Sequence, residues 1–322
     1  PRLLRNPHLQ SVFGSSGLRR LRGERALAAS GATTREQILD GGNGVRLQGW
    51  HSQVPGRRPR GTALLLHGWE GSTESAYMRL AAARLLADGW DVVRLNFRDH
   101  GDTHHLNEEL FHSNRLDEVV HAALDVSRRF AGDVPMRVAG YSLGGNFALR
   151  LALRAPEAGL PLARVAAVCP VLDPARTMRK MEDGLWFYMR YFERKWRGSL
   201  QRKRALFPDR HDFDDTTLRL GMRELTEWLV QRHTDLGTLD NYFDGYSVAG
   251  DRLARLQVPA DILMAADDPV IPVDEFRALS LPAQARVQIV PWGGHCGFLE
   301  NARFDGFAER WIADRLAGPG DA

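Results

Sequence analysis

Cysteine is scarce in this chain: Cys169 and Cys296 are the two among 322 residues. Two cysteines cannot build a disulfide framework, which excludes a small, disulfide-stapled secreted fold and fits a reducing, cytoplasmic setting. Cys296 is read as a small buried thiol rather than as chemistry in its own right. No apolar run approaches 18 residues, so no segment reads as a membrane span, and the N-terminus, which starts at Pro1, shows no apolar signal core. Charge of one sign is not in large excess either. With 43 Lys and Arg against 40 Asp and Glu the net charge is +3, short of a nucleic-acid footprint, and no nucleic-acid partner is expected. Metal-ligand spacing is missing as well. His100, His104, His105 and His112 crowd around Asp99 and Asp102, but no H-x-E-x-H or HExxH pattern occurs. A polar loop at a strand end is the reading, with no metal.

With 43% hydrophobic and 26% charged residues, the chain is long enough for one large α/β domain with an insertion. Its organising stretch is Met136-Arg137-Val138-Ala139-Gly140-Tyr141-Ser142-Leu143-Gly144-Gly145-Asn146. A β-rich run ends at Gly140 and a helical pattern begins after Gly145, so Ser142 falls at a sharp strand-to-helix turn. This is the G-x-S-x-G nucleophile elbow, in which glycine at 140 and 144 avoids a Cβ clash while the serine holds a strained conformation. Thirteen serines and 31 glycines in a chain of this length give about 0.12 chance matches, so the motif needs its partners to carry weight.

Taken in order, residues 1–30 read as an irregular arm that holds Arg19, Arg20, Arg22 and Arg25. An antiparallel hairpin follows, residues 36–39 and 45–50 around the turn at 40–44. Thr62 to Leu66 is a continuous apolar run, a strand buried on both faces, ending in His67-Gly68-Trp69-Glu70-Gly71. A helix at 76–87 and a strand at 91–97 make a βαβ unit and predict a parallel sheet. A helix at 116–130, the elbow strand and a strand at 164–169 come next. Strands at 260–266 and 286–290 and a helix at 301–316 close the chain.

Between Pro174 and about residue 250 apolar residues recur at helical spacing with no intervening strand, which predicts a helical cap inserted between two strands. The domain reading is therefore an arm at 1–30, a core at 31–173 and 251–322, and a cap at 174–250. Residues 174–206 carry a local net charge of +7 interleaved with Trp186, Phe187, Tyr188, Tyr191, Phe192 and Trp196. Three readings stand: an aromatic stripe on the core beneath a solvated basic face, a wall over an amphiphilic substrate, or a peripheral contact with an anionic membrane surface.

Ser142, Asp268 and His295 each follow a predicted strand at its carboxyl end, in the order serine, acid, histidine. That order and placement resemble the α/β-hydrolase fold: a mostly parallel sheet flanked by helices, here with a helical cap insertion. More narrowly, the chain resembles the YheT-like, embryogenesis-associated branch. The resemblance rests on Asn6-Pro7-His8-Leu9-Gln10, Leu66-His67-Gly68 with Gly71-Ser72, Asn96-Phe97-Arg98, the elbow, Asp267-Asp268-Pro269, and Gly293-Gly294-His295 with Gly297-Phe298. Asp99-His100 departs from it, where glycine and small residues are expected.

The resemblance implies a carboxylic-ester hydrolase acting on acyl esters, lipid-like ones included, with no cofactor. Ser142 would be the nucleophile, His295 its base and Asp268 the residue that orients the imidazole. Asp267 and Asp173 stand as alternative acids. In a hydrolase of this fold the amides of Trp69 and Leu143 would form the oxyanion hole, against a plain β-to-α turn at Trp69. A thioesterase or amidase on the same triad, or a non-catalytic lipid- or membrane-binding protein, are the other functions open to the chain.

Overall fold

Strands that are apolar on both faces must be covered on both faces by helices, and that requirement sets the architecture. The computed structural model describes residues 2–318. Two helices come first, α1 (Pro7–Gly14) and α2 (Gly17–Ala29), then the hairpin β1 (Thr33–Asp40) and β2 (Arg46–Gln53). There follow β3 (Thr62–Leu66), α3 (Ala76–Ala87), β4 (Asp91–Leu95), α4 (Leu116–Val126), β5 (Met136–Tyr141), α5 (Leu143–Ala158) and β6 (Leu162–Val168). Five helices then run without a strand: α6 (Pro174–Asp183), α7 (Trp186–Leu206), α8 (Asp215–Leu218), α9 (Met222–His233) and α10 (Leu239–Tyr246). The chain returns through β7 (Ala260–Ala265), α11 (Asp274–Arg277), β8 (Ala285–Val290) and α12 (Phe307–Ala317).

The eight strands form one sheet in the order β1-β2-β4-β3-β5-β6-β7-β8. β1, β2 and β4 pair antiparallel, and every other pairing is parallel. Each residue of β3, β4 and β7 is buried. After β3 the chain moves outward to β4, then crosses back to place β5 on the other side of β3. Strand order reverses between β3 and β5, which opens a crevice at their carboxyl ends. The loops after β3 and β5 meet there. Among the described residues, no helix is long and apolar enough to cross a membrane.

Two expectations need correction. The stretch expected to be an irregular arm is helical over residues 7–14 and 17–29: Asn6 caps α1 by accepting from the amides of His8 and Leu9, with Pro7 at the first helical position. Ser16 likewise caps α2, which packs on α3. The shortness of α1 and the clustered arginines of α2 hid them. The last helix begins at Phe307, not Asn301. The Asn301 side chain accepts from the amides of Arg303 and Asp305, and Gly306 bridges to Leu299, so this segment is a turn.

The aromatic stripe of α7 divides. Trp196 is buried and Phe192 stacks on Trp69, whereas Trp186 is 72% and Tyr191 51% exposed. Asp99, the departure noted in the sequence, anchors this helix: it is buried and pairs with the fully buried Lys203 of α7. Lys203 Nζ also donates to the carbonyls of His104 (3.1 Å) and Asn107 (2.6 Å). Removing one member of a buried ion pair strands the other in a low dielectric and costs about 3–5 kcal/mol. Lys203→Met is therefore expected to lower the urea unfolding free energy by that amount, and Lys203→Met with Asp99→Asn to recover part of it.

Candidate active site

Ser142 sits between the end of β5 and the first turn of α5 with φ +53° and ψ −118°, a conformation that residues with a Cβ rarely adopt. Its amide donates to the Val168 carbonyl of β6 (2.8 Å), and its carbonyl accepts from Asn146 of α5 (3.1 Å). The crossing is tight enough to exclude side chains. A Cβ on Gly140 would lie 2.1 Å from the Gly144 carbonyl oxygen, and one on Gly144 would lie 2.4 Å from the carbonyl oxygens of Leu66 and His67. Helix α5 can start this close to β3 only because position 144 is glycine.

His295 and Asp268 reach Ser142 from loops that follow β8 and β7. His295 Nε2 lies 3.0 Å from Ser142 Oγ, and His295 Nδ1 lies 2.9 Å from Asp268 Oδ2. The other Asp268 oxygen accepts from the amides of Val270 (2.7 Å) and Ile271 (3.0 Å), which hold the carboxylate in place against the imidazole. Of the two alternative acids, Asp267 instead accepts from the amides of Gly293 and Gly294, both at 2.9 Å, and so shapes the histidine loop. Asp173 caps α6 by accepting from the Arg176 amide. Neither contacts the imidazole.

Burial alone would lower the His295 pKa, but the Asp268 carboxylate and negative charge on the neighbouring Cys296 sulfur carry it well above 6.5. Burial also works on Cys296, pushing it up, yet a hydrogen bond from Cys169 and the His295 charge bring it down to about 6. A proton on His295 is thus stabilised by its surroundings. That is the property needed in a base that must carry charge briefly.

The β3 loop forms the facing wall. The Phe97 amide donates to His67 Nε2 (3.2 Å), so Nδ1 holds the proton and donates to the Gly68 carbonyl (2.7 Å). Burial depresses the His67 pKa well below 6.5, which keeps this ring neutral and in that tautomer. The Gly68 amide donates to the Tyr77 hydroxyl (3.1 Å). Trp69, the next residue, stacks on Phe192 under the cap, and Trp69 and Leu143 both border the cavity at Ser142. This cavity, about 100 Å³, is walled mainly by apolar groups from the cap, among them Met178, Met181, Trp196, Met222 and Phe243.

Sequence reasoning missed the parts that hold the histidine loop from outside. Ser11 Oγ of α1 accepts from the His295 amide (2.8 Å) and donates to the Pro7 carbonyl (2.7 Å). Gln10, 2% exposed, donates to the Leu299 carbonyl (3.0 Å) and accepts from its amide (2.6 Å). His8 Nδ1 meets the Tyr188 hydroxyl of α7 at 3.1 Å, so α1 touches both the histidine loop and the cap. The signal was the segment Asn6 to Gln10, a cap followed by a helix start. Asn146 was also missed: its side-chain amide donates to the carbonyls of Val171 (2.9 Å) and Tyr246 (2.7 Å), which ties α5 to the cap.

Comparison with known proteins places this geometry among relatives. A model of the "Alpha/beta hydrolase family" matches residues 63–310. A protein of Escherichia coli (strain K12) named "Putative esterase YheT" is 27% identical over 261 residues, covering 79% of this chain and 74% of its own. Among solved structures, a hyperthermophilic esterase from Pyrobaculum calidifontis superposes with a TM-score of 0.59 at 16% identity, covering 93% of this chain and 90% of that one. The Pyrococcus furiosus esterase Pf2001 does so with 0.57 at 14% identity, covering 89% and 90%. At such identities the two structures speak to the fold alone.

Because a Cβ at 144 has backbone on two sides, Gly144→Ala is expected to cost more than about 4 kcal/mol or to prevent folding. Gly198 lies exposed within α7 with nothing within 4 Å of its Cβ position. Gly198→Ala should instead stabilise by about 0.5–1 kcal/mol, and chemical unfolding of the two variants separates the cases.

Proposed function

The chain belongs to the α/β-hydrolase family, and from that premise we propose that it is a serine carboxylic-ester hydrolase working through an acyl-enzyme. The observation that carries the proposal is the unbroken chain from Asp268 Oδ2 through His295 to Ser142 Oγ, with links of 2.9 and 3.0 Å. Its relative's name contributes the bond type, an ester.

In this reading His295 Nε2 takes the Ser142 hydroxyl proton as Oγ bonds to the ester carbonyl carbon and the carbonyl electron pair moves onto oxygen. The amides of Trp69 and Leu143 hold that oxygen. As the tetrahedral intermediate collapses, His295 returns the proton to the departing alkoxide and the acyl group stays on Ser142. Water then enters by the same route: His295 takes its proton, the oxygen attacks the acyl carbon, and Ser142 regains its hydrogen as the carboxylic acid leaves. Asp268 keeps the imidazole in the tautomer that presents Nε2 to Ser142 and stabilises the imidazolium. The apolar cavity beneath the cap holds the acyl chain, and its volume of about 100 Å³ favours short and medium chains over long ones.

Hydrolysis of p-nitrophenyl esters from acetate to palmitate tests this, with a thioester and an anilide beside them to separate the ester reading from thioesterase and amidase activity. Turnover is expected to peak below palmitate. Ser142→Ala should lower kcat by on the order of 10⁶, and Asp268→Asn by about 10⁴. An inert wild-type chain across all three substrate types would refute the proposal.

Only neutral His295 accepts the serine proton, and its pKa lies well above 6.5, so kcat/KM should fall as pH drops through a value above 6.5. A flat profile across that range would contradict the assignment of His295 as base.

A further inference from the structure

The sequence's two cysteines, remote from each other in the chain, come together beside the same histidine. Cys169 follows β6 and Cys296 follows His295, and Cys169 Sγ, Cys296 Sγ and a ring nitrogen of His295 lie within 4.8 Å of one another. Both cysteines are free thiols, held at φ +43° and +60°, conformations uncommon for a residue with a Cβ. The backbone that sets them is itself fixed: the Cys169 amide donates to the Leu263 carbonyl of β7 at 2.8 Å. Each sulfur also has a long carbonyl contact, Gly294 at 4.0 Å for Cys169 and Val168 at 3.8 Å for Cys296.

We propose that Cys169, Cys296 and His295 Nε2 form a binding site for one thiophilic divalent cation of the zinc class, and that its occupation switches off the serine. A tetrahedral zinc ion with bonds of about 2.3 Å to sulfur and 2.0 Å to nitrogen separates its donors by about 3.5–3.8 Å. The Cys296 Sγ to His295 Nε2 distance is already 3.9 Å. Two thiolates and one imidazole select a soft or borderline ion over magnesium or calcium, and two thiolates neutralise its charge away from water. Asp268 already holds Nδ1 of the same ring at 2.9 Å, the carboxylate partner that metal-bound histidines ordinarily have. A cavity bordered by Ser142, His295 and Cys296 leads outward past Arg20 and Lys195, which gives an ion a path in. Ser142 Oγ lies 3.0 Å from Nε2, the same nitrogen the ion would take.

Binding forms two sulfur–metal bonds and one nitrogen–metal bond, releases two protons to solvent, one from Cys169 and one from the Cys296–His295 pair, and changes no oxidation state. The Nε2 lone pair then belongs to the metal and cannot receive the serine proton. Metal binding and turnover exclude each other. The effect on turnover rests on the ester-hydrolase reading; the site does not.

Titration of the metal-free full chain with Co²⁺ reads the site directly. One ion per chain is expected, with thiolate-to-cobalt charge-transfer absorption that Zn²⁺ displaces. Cys169→Ala and Cys296→Ala should each remove that absorption and weaken binding by more than about tenfold, since loss of a ligand costs at least as much as loss of an outer-shell partner. Alkylating the partly exposed Cys296 in the folded wild type should do the same without a substitution. In the wild type, Zn²⁺ should suppress labelling of Ser142 by a fluorophosphonate in step with occupancy, and EDTA should restore it. Each variant is compared with its own metal-free reactivity. Absence of thiolate–cobalt absorption in the wild type, or equal suppression by Zn²⁺ in both cysteine variants, would overturn the proposal. Cobalt binding by a chain that hydrolyses no ester even when freed of metal would instead leave the site standing and remove the ester-hydrolase reading.

Discussion

One steric crossing underlies the rest: the last carbonyls of β3, Gly140 of β5 and Gly144 of α5 pass within contact distance of one another. This contact fixes where α5 starts, and so forces Ser142 into a positive-φ turn that costs about 1–3 kcal/mol. The cost is offset by what the approach permits, since α5 lies against the sheet with its first ten residues, Leu143 to Ala152, buried. The strain at Ser142 is therefore sustained by packing far larger than itself. The same crossing sets the β3 loop beside the serine, because strand order reverses between β3 and β5.

The other half of the site is suspended rather than packed. The histidine loop takes its shape from Asp267 on one side and from Gln10 and Ser11 on the other. Helix α1 thereby acts as a bracket on a loop nearly three hundred residues away in sequence, and through His8 and Tyr188 it also touches the cap. Lys180 of α6 donates to the Asp268 carbonyl at 2.8 Å, so the acid loop is tied to the cap as well. Displacement of the cap would bear on the acid and the histidine together, since each has a hydrogen bond leading to it.

The sheet and the grouping of Ser142, His295 and Asp268 were legible because both rest on local patterns: continuous apolar runs ending in glycine-rich loops, and a serine between glycines at fixed spacing. Asp268 was separable from Asp267 only in three dimensions. Adjacent residues in a turn point to opposite sides, and it took the amides of Gly293 and Gly294 to show where Asp267 goes. Helices α1 and α2 were hidden because their partners, α3 and the histidine loop, are distant in sequence, while α1 is short and α2 carries clustered arginines. Lys203 and Asp99 were invisible as a pair for the same reason. A charge that is buried by tertiary contact carries no mark in its own segment.

The central claim is that Ser142 is an activated nucleophile held by His295 and Asp268. Intact-mass and peptide-mass analysis after exposure to a fluorophosphonate tests it most directly. The account predicts a single adduct per chain, on the peptide that contains Ser142, forming much more slowly in Asp268→Asn. No adduct on the folded wild type, or an adduct confined to another residue, would contradict it.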